Sequence, residues 1–223
     1  MKGRIAEVFD SIQGEGLYLG EKQIFVRFYG CNLECRYCDT KLSSFMEYEP
    51  EELFNELKLY RDKYHSVSFT GGEPLLQKDF LREILKLTGK GNFKNYLETN
   101  GTLHKELKEV IDYIDIVAMD LKLPSSTGLS DMWEEHRLFL EIASQREVFV
   151  KTVICTYTKE EDFIKGLRLI REAAQEAILI LQLNNNEDRA YLHDKLETFK
   201  DLCRRERVTC CAVEQIHKVI GVK

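Results

Sequence analysis

The sequence predicts an α/β protein built on an open, partial barrel of parallel strands, with about six strand–helix units. From about residue 23, short β-rich apolar runs alternate with longer amphipathic segments, which is typical of a parallel sheet covered by helices. Six units are too few for a closed eight-stranded barrel. No repeat, low-complexity tract or long linker divides the 223 residues. We therefore expect one domain, with an N-terminal segment (1–22) and a C-terminal tail (207–223).

The elements follow one another in a regular order along the chain. The predicted strands are 23–30, 66–72, 95–101, 115–123, 147–155 and 177–184. The predicted helices are 49–64, 77–91, 104–114, 160–175 and 188–206. The first of these helices has Pro50 in its first turn with acidic residues after it, and the second ends at a glycine. The stretch 122–133 carries the strongest loop signals, and we interpret it as a functional loop.

Composition and charge exclude several classes of protein. The net charge of −6 argues against a nucleic-acid surface. No run of about 18 apolar residues predicts a membrane span. The first residues lack the apolar stretch of a signal peptide, so we expect a cytoplasmic protein whose thiols stay reduced. Its seven cysteines therefore indicate metal ligands and free thiols, with Cys203, Cys210 and Cys211 expected to be free.

Unusual residues gather where the predicted strands end. Cys31, Gly71, Asn100, Lys122 and Gln182 each lie at or just after the carboxyl end of a strand. In sheets of this kind, ligands bind at that edge. The sequence therefore predicts one functional site at the carboxyl edge of the sheet.

Three cysteines lie within eight residues, in the stretch YGCNLECRYCDT (29–40). They could be buried free thiols, or a zinc site completed by a distant ligand such as Cys155, Cys203, Cys210, Cys211 or a histidine. The third hypothesis is a 4Fe–4S cluster held by Cys31, Cys35 and Cys38, with one iron left open. The C-x3-C-x2-C spacing favours this third hypothesis.

Together with two further features, this spacing resembles the radical S-adenosylmethionine (SAM) superfamily. Tyr37 stands just before the last cysteine, and TGGEP (70–74) follows a predicted strand, as in that superfamily. The resemblance implies that the open iron binds the amino and carboxylate groups of SAM, and that reduction of the cluster yields a 5′-deoxyadenosyl radical. Glycines at 71 and 72 would let the backbone approach SAM closely, and Glu73 would accept a hydrogen bond from its ammonium group.

Further segments narrow the resemblance to the 7-carboxy-7-deazaguanine synthase family. They are FDSIQGEG (9–16), FVRFYGCNLECRYCDT (25–40), ETNGT (98–102) and QIHKVIGVK (215–223). The resemblance implies conversion of 6-carboxy-5,6,7,8-tetrahydropterin to 7-carboxy-7-deazaguanine with loss of ammonia, on the pathway to queuosine. It also implies a Mg²⁺ ion, a flavodoxin or ferredoxin-type reductant, and a homodimer.

The resemblance and the position of the sheet edge together assign roles to individual residues. The residues expected to bind substrate lie in the N-terminal segment, the first strands and the tail: Ile12, Gln13, Gly14, Glu15, Arg27, Thr70 and His217. The residues expected to bind SAM follow the strands: Tyr37, Asp39, Gly72, Glu73, Asn100, Asp120, Leu121, Lys122 and Gln182. Thr40 would bind Mg²⁺ through its hydroxyl group. The other histidines (His65, His104, His136 and His193) fall in helical or linker positions and receive no role.

One position departs from the family pattern. Many relatives carry Ser-Pro-Lys at the end of the fourth strand, whereas this chain has Asp120, Leu121 and Lys122. A carboxylate there could hold ribose hydroxyls, or it could mark a relative that acts on another small heterocycle.

The cysteine loop would also suit an activating enzyme for a glycyl-radical enzyme, or a metal-binding module without enzymatic activity.

Overall fold

One mixed sheet of nine strands organises the residues that the computed structural model describes, which are 1–40, 42–60, 64–184 and 186–213. The strands are β1 (Gly3–Ile12), β2 (Lys22–Phe28), β3 (Met46–Tyr48), β4 (Ser66–Gly71), β5 (Asn95–Thr99), β6 (Ile116–Asp120), β7 (Glu147–Ile154), β8 (Ile178–Leu183) and β9 (Cys210–Val213). Their order across the sheet is β3-β1-β2-β4-β5-β6-β7-β8-β9. β1 runs antiparallel to both neighbours, whereas β2 and β4 to β9 are parallel. The sheet does not close, which confirms the predicted open barrel.

Helices cover one face of this sheet. They are α1 (Pro50–Leu57), α2 (Lys78–Lys90), α3 (His104–Val110), α4 (Pro124–Thr127), α5 (Trp133–Ala143), α6 (Glu160–Ala173) and α7 (Arg189–Glu206), with 3-10 turns at Pro74–Gln77 and Ile111–Tyr113. The main hydrophobic core lies between these helices and the sheet. Within the described part of the chain, no helix is both long and apolar enough to cross a membrane.

Side-chain alternation along the strands separates this core from the opposite, concave face. In β4, Val67 and Phe69 belong to the main core, and Ser68 and Thr70 must therefore project from the other side. A smaller apolar cluster, which includes Tyr96 and Phe149, fills part of the concave face. Polar residues of the same face lie nearer the carboxyl ends of the strands. The fold therefore places polar side chains at the carboxyl edge of the sheet, where the sequence predicts the functional site.

The loop between β1 and β2 packs against the smaller apolar cluster. Tyr18 contacts the rings of Tyr96 and Phe149, with centroids 5.9 and 6.4 Å away, and its hydroxyl bonds to Glu147. Gly16 has φ +72°, and a Cβ there would lie 2.6 Å from the Phe149 ring. Glycine is therefore required for the loop to approach so closely. This packing fixes the segment that carries Gln13 and Glu15.

The observed elements correct the sequence prediction in several places, and one of them is the short strand β3 (Met46–Tyr48), which was not predicted. The N-terminal segment contains strand β1, whose burial pattern does not alternate cleanly and whose pairing with β2 is irregular between Ile5 and Glu7. The segment 122–133, interpreted as a loop, contains α4. α5 was also missed, although its buried residues His136, Phe139, Leu140 and Ala143 recur at helical spacing.

Candidate active site

A cleft of about 890 Å³ opens at the carboxyl edge of the sheet. It is lined by most of the residues that the sequence predicts for the site: Ile12, Gln13, Gly14, Glu15, Arg27, Cys31, Cys35, Tyr37, Cys38, Asp39, Thr40, Thr70, Gly72, Asn100, Asp120, Lys122 and Gln182. Residues from separate strands and loops therefore share one cavity. His217 lies outside the described residues.

Two predicted residues are not brought to this cleft. Glu73 is fully buried and accepts hydrogen bonds from the Thr99 hydroxyl (2.9 Å) and from the backbone N–H of Asn100 (2.8 Å). Burial raises the pKa of Glu73 to about 7, although these hydrogen bonds oppose the rise. Its carboxylate thus joins the loop after β4 to the end of β5.

Leu121 is the second such residue. Its side chain belongs to the main core and lies close to Gly166 of α6, where a Cβ would come within 2.8 Å of the leucine. Asp120 lines the cleft, so the next residue faces the helices. The sequence assigns a role to both residues, and only the side chain of Asp120 faces the cleft.

The cysteine loop is held by neighbouring loops through backbone and side-chain contacts. The Arg36 amide donates to the carbonyl of Thr127 in α4 (2.9 Å), and the Arg36 guanidinium lies 4.8 Å from the centre of the Tyr157 ring. On the other side, the side-chain amide nitrogen of Asn100 lies 3.8 Å from Cys31 Sγ and donates to Asn32 Oδ1 (2.8 Å). The loop therefore rests between the ends of β5, β6 and β7.

The glycine-rich loop packs directly against the cysteine loop. A Cβ on Gly72 would lie 1.9 Å from the carbonyl oxygen of Gly30, so any side chain there would displace one of the two loops. Gly30 itself has φ +95°, a conformation that glycine adopts without strain. The two predicted motifs, remote in sequence, are thus joined backbone to backbone.

The three thiols of the cysteine loop all line the cleft, and thiolates are the ligands that hold iron–sulfur clusters. Among the described residues, no group of three or more His, Cys, Asp or Glu side chains that could hold a metal ion is found. Cys31 and Cys38 are exposed, and Cys155 is buried against Asn184. The amide nitrogen of Gln182, buried in the same cleft, has no hydrogen-bond partner among the described residues.

One part of the cleft contains a chain of charged side chains, of which Lys151 is buried and the others are partly buried. Lys151 Nζ lies 3.2 Å from Glu15 and 3.8 Å from Asp120, and Lys122 Nζ lies 3.1 Å from Asp120. Burial alone would raise the pKa of Asp120, but the two lysines outweigh it and lower the pKa below its usual range. Burial likewise opposes the charge of Lys151, yet the surrounding carboxylates raise its pKa well above normal. Asp120 and Lys151 are therefore both charged at neutral pH.

A second part of the cleft is built from hydrogen bonds around Glu98. Its carboxylate accepts from the Gln13 amide (2.9 Å) and from the Thr70 hydroxyl (2.8 Å). The Gln13 amide also donates to Gln23 (3.0 Å). Nearby, Arg27 Nε bonds to Glu7 (3.2 Å), and the guanidinium lies 5.6 Å from the centre of the Phe9 ring.

Sequence reasoning missed Glu98 and Lys151, although each stands out in its strand. Each is a charged residue between uncharged neighbours, with Leu97 and Thr99 beside Glu98 and with Val150 and Thr152 beside Lys151. Such residues are rarely buried unless they are paired. That rule could have indicated both as residues of the site.

Comparisons with known proteins decide the family. The model of the radical SAM superfamily matches residues 25–196. The 7-carboxy-7-deazaguanine synthase of Geobacter sulfurreducens is 37% identical over 203 residues, which cover 80% of each chain. That of Methanopyrus kandleri is 33% identical and covers 97% of this chain and 92% of the relative. The chain belongs to the 7-carboxy-7-deazaguanine synthase family of the radical SAM superfamily.

Solved structures support the fold of this radical SAM protein. The crystal structure of QueE from Escherichia coli matches with a TM-score of 0.64, covering 95% of this chain and 94% of that one. Their sequences are only 20% identical, so the similarity concerns the fold. The predicted partial barrel and the predicted family are both confirmed.

Proposed function

We propose that this protein is a radical SAM enzyme that converts 6-carboxy-5,6,7,8-tetrahydropterin to 7-carboxy-7-deazaguanine with loss of ammonia. The observation that carries the proposal is the shared cleft, which places the three cysteines and the hydrogen-bonding groups around Glu98 in one cavity. The curated relatives that match most of this chain bear the name of this activity.

Membership of the superfamily implies a 4Fe–4S cluster and SAM as cofactors. Cys31, Cys35 and Cys38 would hold the cluster. The residues proposed to contact SAM line the adjoining part of the cleft: Tyr37, Asp39, Gly72, Asn100, Asp120, Lys122 and Gln182. When bound, cluster and SAM supply one-electron chemistry that abstracts a hydrogen atom from a C–H bond.

The substrate end must hold a flat heterocycle and a carboxylate. We propose that Arg27 binds the substrate carboxylate, because a planar guanidinium can bind a carboxylate through two hydrogen bonds. The hydrogen bond of Arg27 to Glu7 is made by Nε. The pyrimidine part of a pterin carries N–H donors, which suit the carboxylate of Glu98. Ile12, Gln13, Gly14, Glu15 and Thr70 would complete this end. Orienting one C–H bond toward SAM, and excluding water around it, would be the protein's main contribution.

Other assignments rest on the family resemblance alone. Thr40 would bind Mg²⁺ with help from the substrate carboxylate, as Mg²⁺ accepts several non-protein oxygen ligands. The tail with His217 would close over the substrate, and the N-terminal segment would line the pterin. A flavodoxin or ferredoxin-type reductant, a homodimer and a cytoplasmic location stay predictions.

Asp120 has a structural role that bears on its proposed contact with SAM. It lies between Lys122 and Lys151, so the neighbouring cations offset the negative charge that replaces the usual serine. A carboxylate so placed can still accept hydrogen bonds from ribose hydroxyls, because carboxylates have about four lone-pair sites. The departure from the family pattern is therefore compatible with the proposed function.

Replacing Arg27 with alanine tests the substrate end. We expect the KM for the pterin to rise about 10- to 100-fold, since hydrogen bonds to a charged group contribute about 1.5–3 kcal/mol. Arg27→Lys should recover only part of this loss, because a lysine cannot bind the carboxylate bidentately. Steady-state kinetics would measure the effect, and SAM cleavage without pterin serves as the control. A KM that stays at the wild-type value would remove Arg27 from the substrate site.

A further inference from the structure

His136 connects two loops of the cleft although it does not line the cleft itself. It lies in the first turn of α5, is fully buried, and was given no role by the sequence. Its Nδ1 lies 3.0 Å from the carbonyl oxygen of Gly101, which follows β5. Its Nε2 lies 3.2 Å from the backbone nitrogen of Lys122, which follows β6.

The partners of this imidazole fix its chemical state. A carbonyl oxygen only accepts, so Nδ1 must carry the proton that bonds to Gly101. A backbone N–H only donates, so Nε2 must present its lone pair to Lys122. The ring is therefore neutral, in agreement with burial, which lowers the pKa of His136 to about 4. Only this tautomer satisfies both loops at once.

Each loop carries a side chain that is proposed above to contact SAM. Asn100 precedes Gly101, bonds to Asn32 in the cysteine loop, and has its own backbone amide bonded to Glu73. Lys122 pairs with Asp120 and lies 5.5 Å from the centre of the Tyr37 ring. A shift of either backbone would move these groups relative to the cysteine loop.

The packing around Gly101 leaves little room for such a shift. Gly101 has φ +71°, and a Cβ there would lie 2.6 Å from Met119 and 3.1 Å from the His136 ring. The turn is thus closely covered by the imidazole.

We propose that His136 is a positioning residue, which holds the turns after β5 and β6 in register and thereby sets Asn100 and Lys122 for SAM binding. The inference rests on the proposed radical SAM function, and it concerns the SAM end of the cleft and not the pterin. It does not need His136 to touch SAM.

The test compares three variants of the full-length protein with a reconstituted cluster. His136→Phe removes both hydrogen bonds and keeps a ring. His136→Gln keeps one donor and one acceptor in its amide. Phe139→Leu is the matched control, because Phe139 is a fully buried residue of the same helix whose side chain has no hydrogen-bonding group. Equilibrium binding of SAM and hydrogen exchange of a peptide containing Lys122 are the measurements.

We expect His136→Phe to raise the Kd for SAM by about tenfold or more, since it removes two buried hydrogen bonds, and to speed exchange in that peptide. His136→Gln should restore part of the affinity, and Phe139→Leu should lower the melting temperature without changing the Kd. Unchanged SAM binding in His136→Phe, or an equal loss in Phe139→Leu, would overturn the role of His136. A wild-type protein that carries its cluster and binds no SAM would instead overturn the proposed function, and this role with it.

Discussion

Replacement of Cys35 with alanine is expected to abolish formation of 5′-deoxyadenosine and to lower the iron content of the anaerobically reconstituted protein. Cys35 is one of three thiols that line the cleft from a single loop. Each of those thiols would bind a different iron, so the loss of one leaves its iron without a protein ligand and the cluster is not retained. Iron analysis, the ultraviolet–visible spectrum and the deoxyadenosine yield would measure the effect.

The matched control for this change is Cys211→Ala. Cys211 lies on β9, packs against the small apolar cluster and does not line the cleft. This variant should keep the wild-type iron content and deoxyadenosine yield. If Cys35→Ala retained both, or if Cys211→Ala lost them, the assignment of cluster ligands would be wrong.

Replacement of Lys151 with methionine should have the second largest effect, on both stability and activity. The lysine side chain is only 3% exposed and lies between the carboxylates of Glu15 and Asp120. Removing it leaves two partly buried carboxylates without their shared cation, although Asp120 keeps Lys122 as a partner. Loss of one partner of a fully buried pair costs about 3–5 kcal/mol, and the cost here should be smaller because both carboxylates are partly exposed. We therefore expect a lower free energy of unfolding in urea and a higher KM for both SAM and pterin.

Lys200→Met provides the control for the loss of a lysine. Lys200 pairs with Glu197 on the exposed side of α7, and surface pairs of this kind contribute about 0–1 kcal/mol. Adding Asp120→Asn to Lys151→Met should recover part of the lost stability, because one uncompensated charge disappears. Equal destabilisation by Lys151→Met and Lys200→Met would show that Lys151 does not stabilise the carboxylates of Glu15 and Asp120.

Local patterns in the sequence predicted the features that depend on short segments. β2 and β4 to β8 are apolar runs buried under helices, so their composition alone identified them. The cysteine loop and the glycine-rich loop were predicted by spacing, because both motifs are contiguous. Strand β1 was not predicted, because it pairs antiparallel near one side of the sheet and lacks a regular alternation of buried residues.

Long-range contacts explain what the sequence could not show. Glu98 gains its partner Gln13 across 85 positions of the chain, and Lys151 reaches Glu15 across 136. His136 acquires its role only when α5 packs beside the turns after β5 and β6. For Glu73 and Leu121, the motif names neighbouring residues without saying which side chain faces the cleft, and both side chains are buried outside its lining.

The most direct test of the proposed function is an anaerobic assay of the reconstituted protein with SAM, Mg²⁺, dithionite and 6-carboxy-5,6,7,8-tetrahydropterin. Mass spectrometry would follow the deazaguanine product and the loss of ammonia. We predict product formation that depends on Cys31, Cys35 and Cys38. Deoxyadenosine without this product would contradict the pterin as substrate, and an intact cluster that cleaves no SAM would contradict the radical SAM function itself.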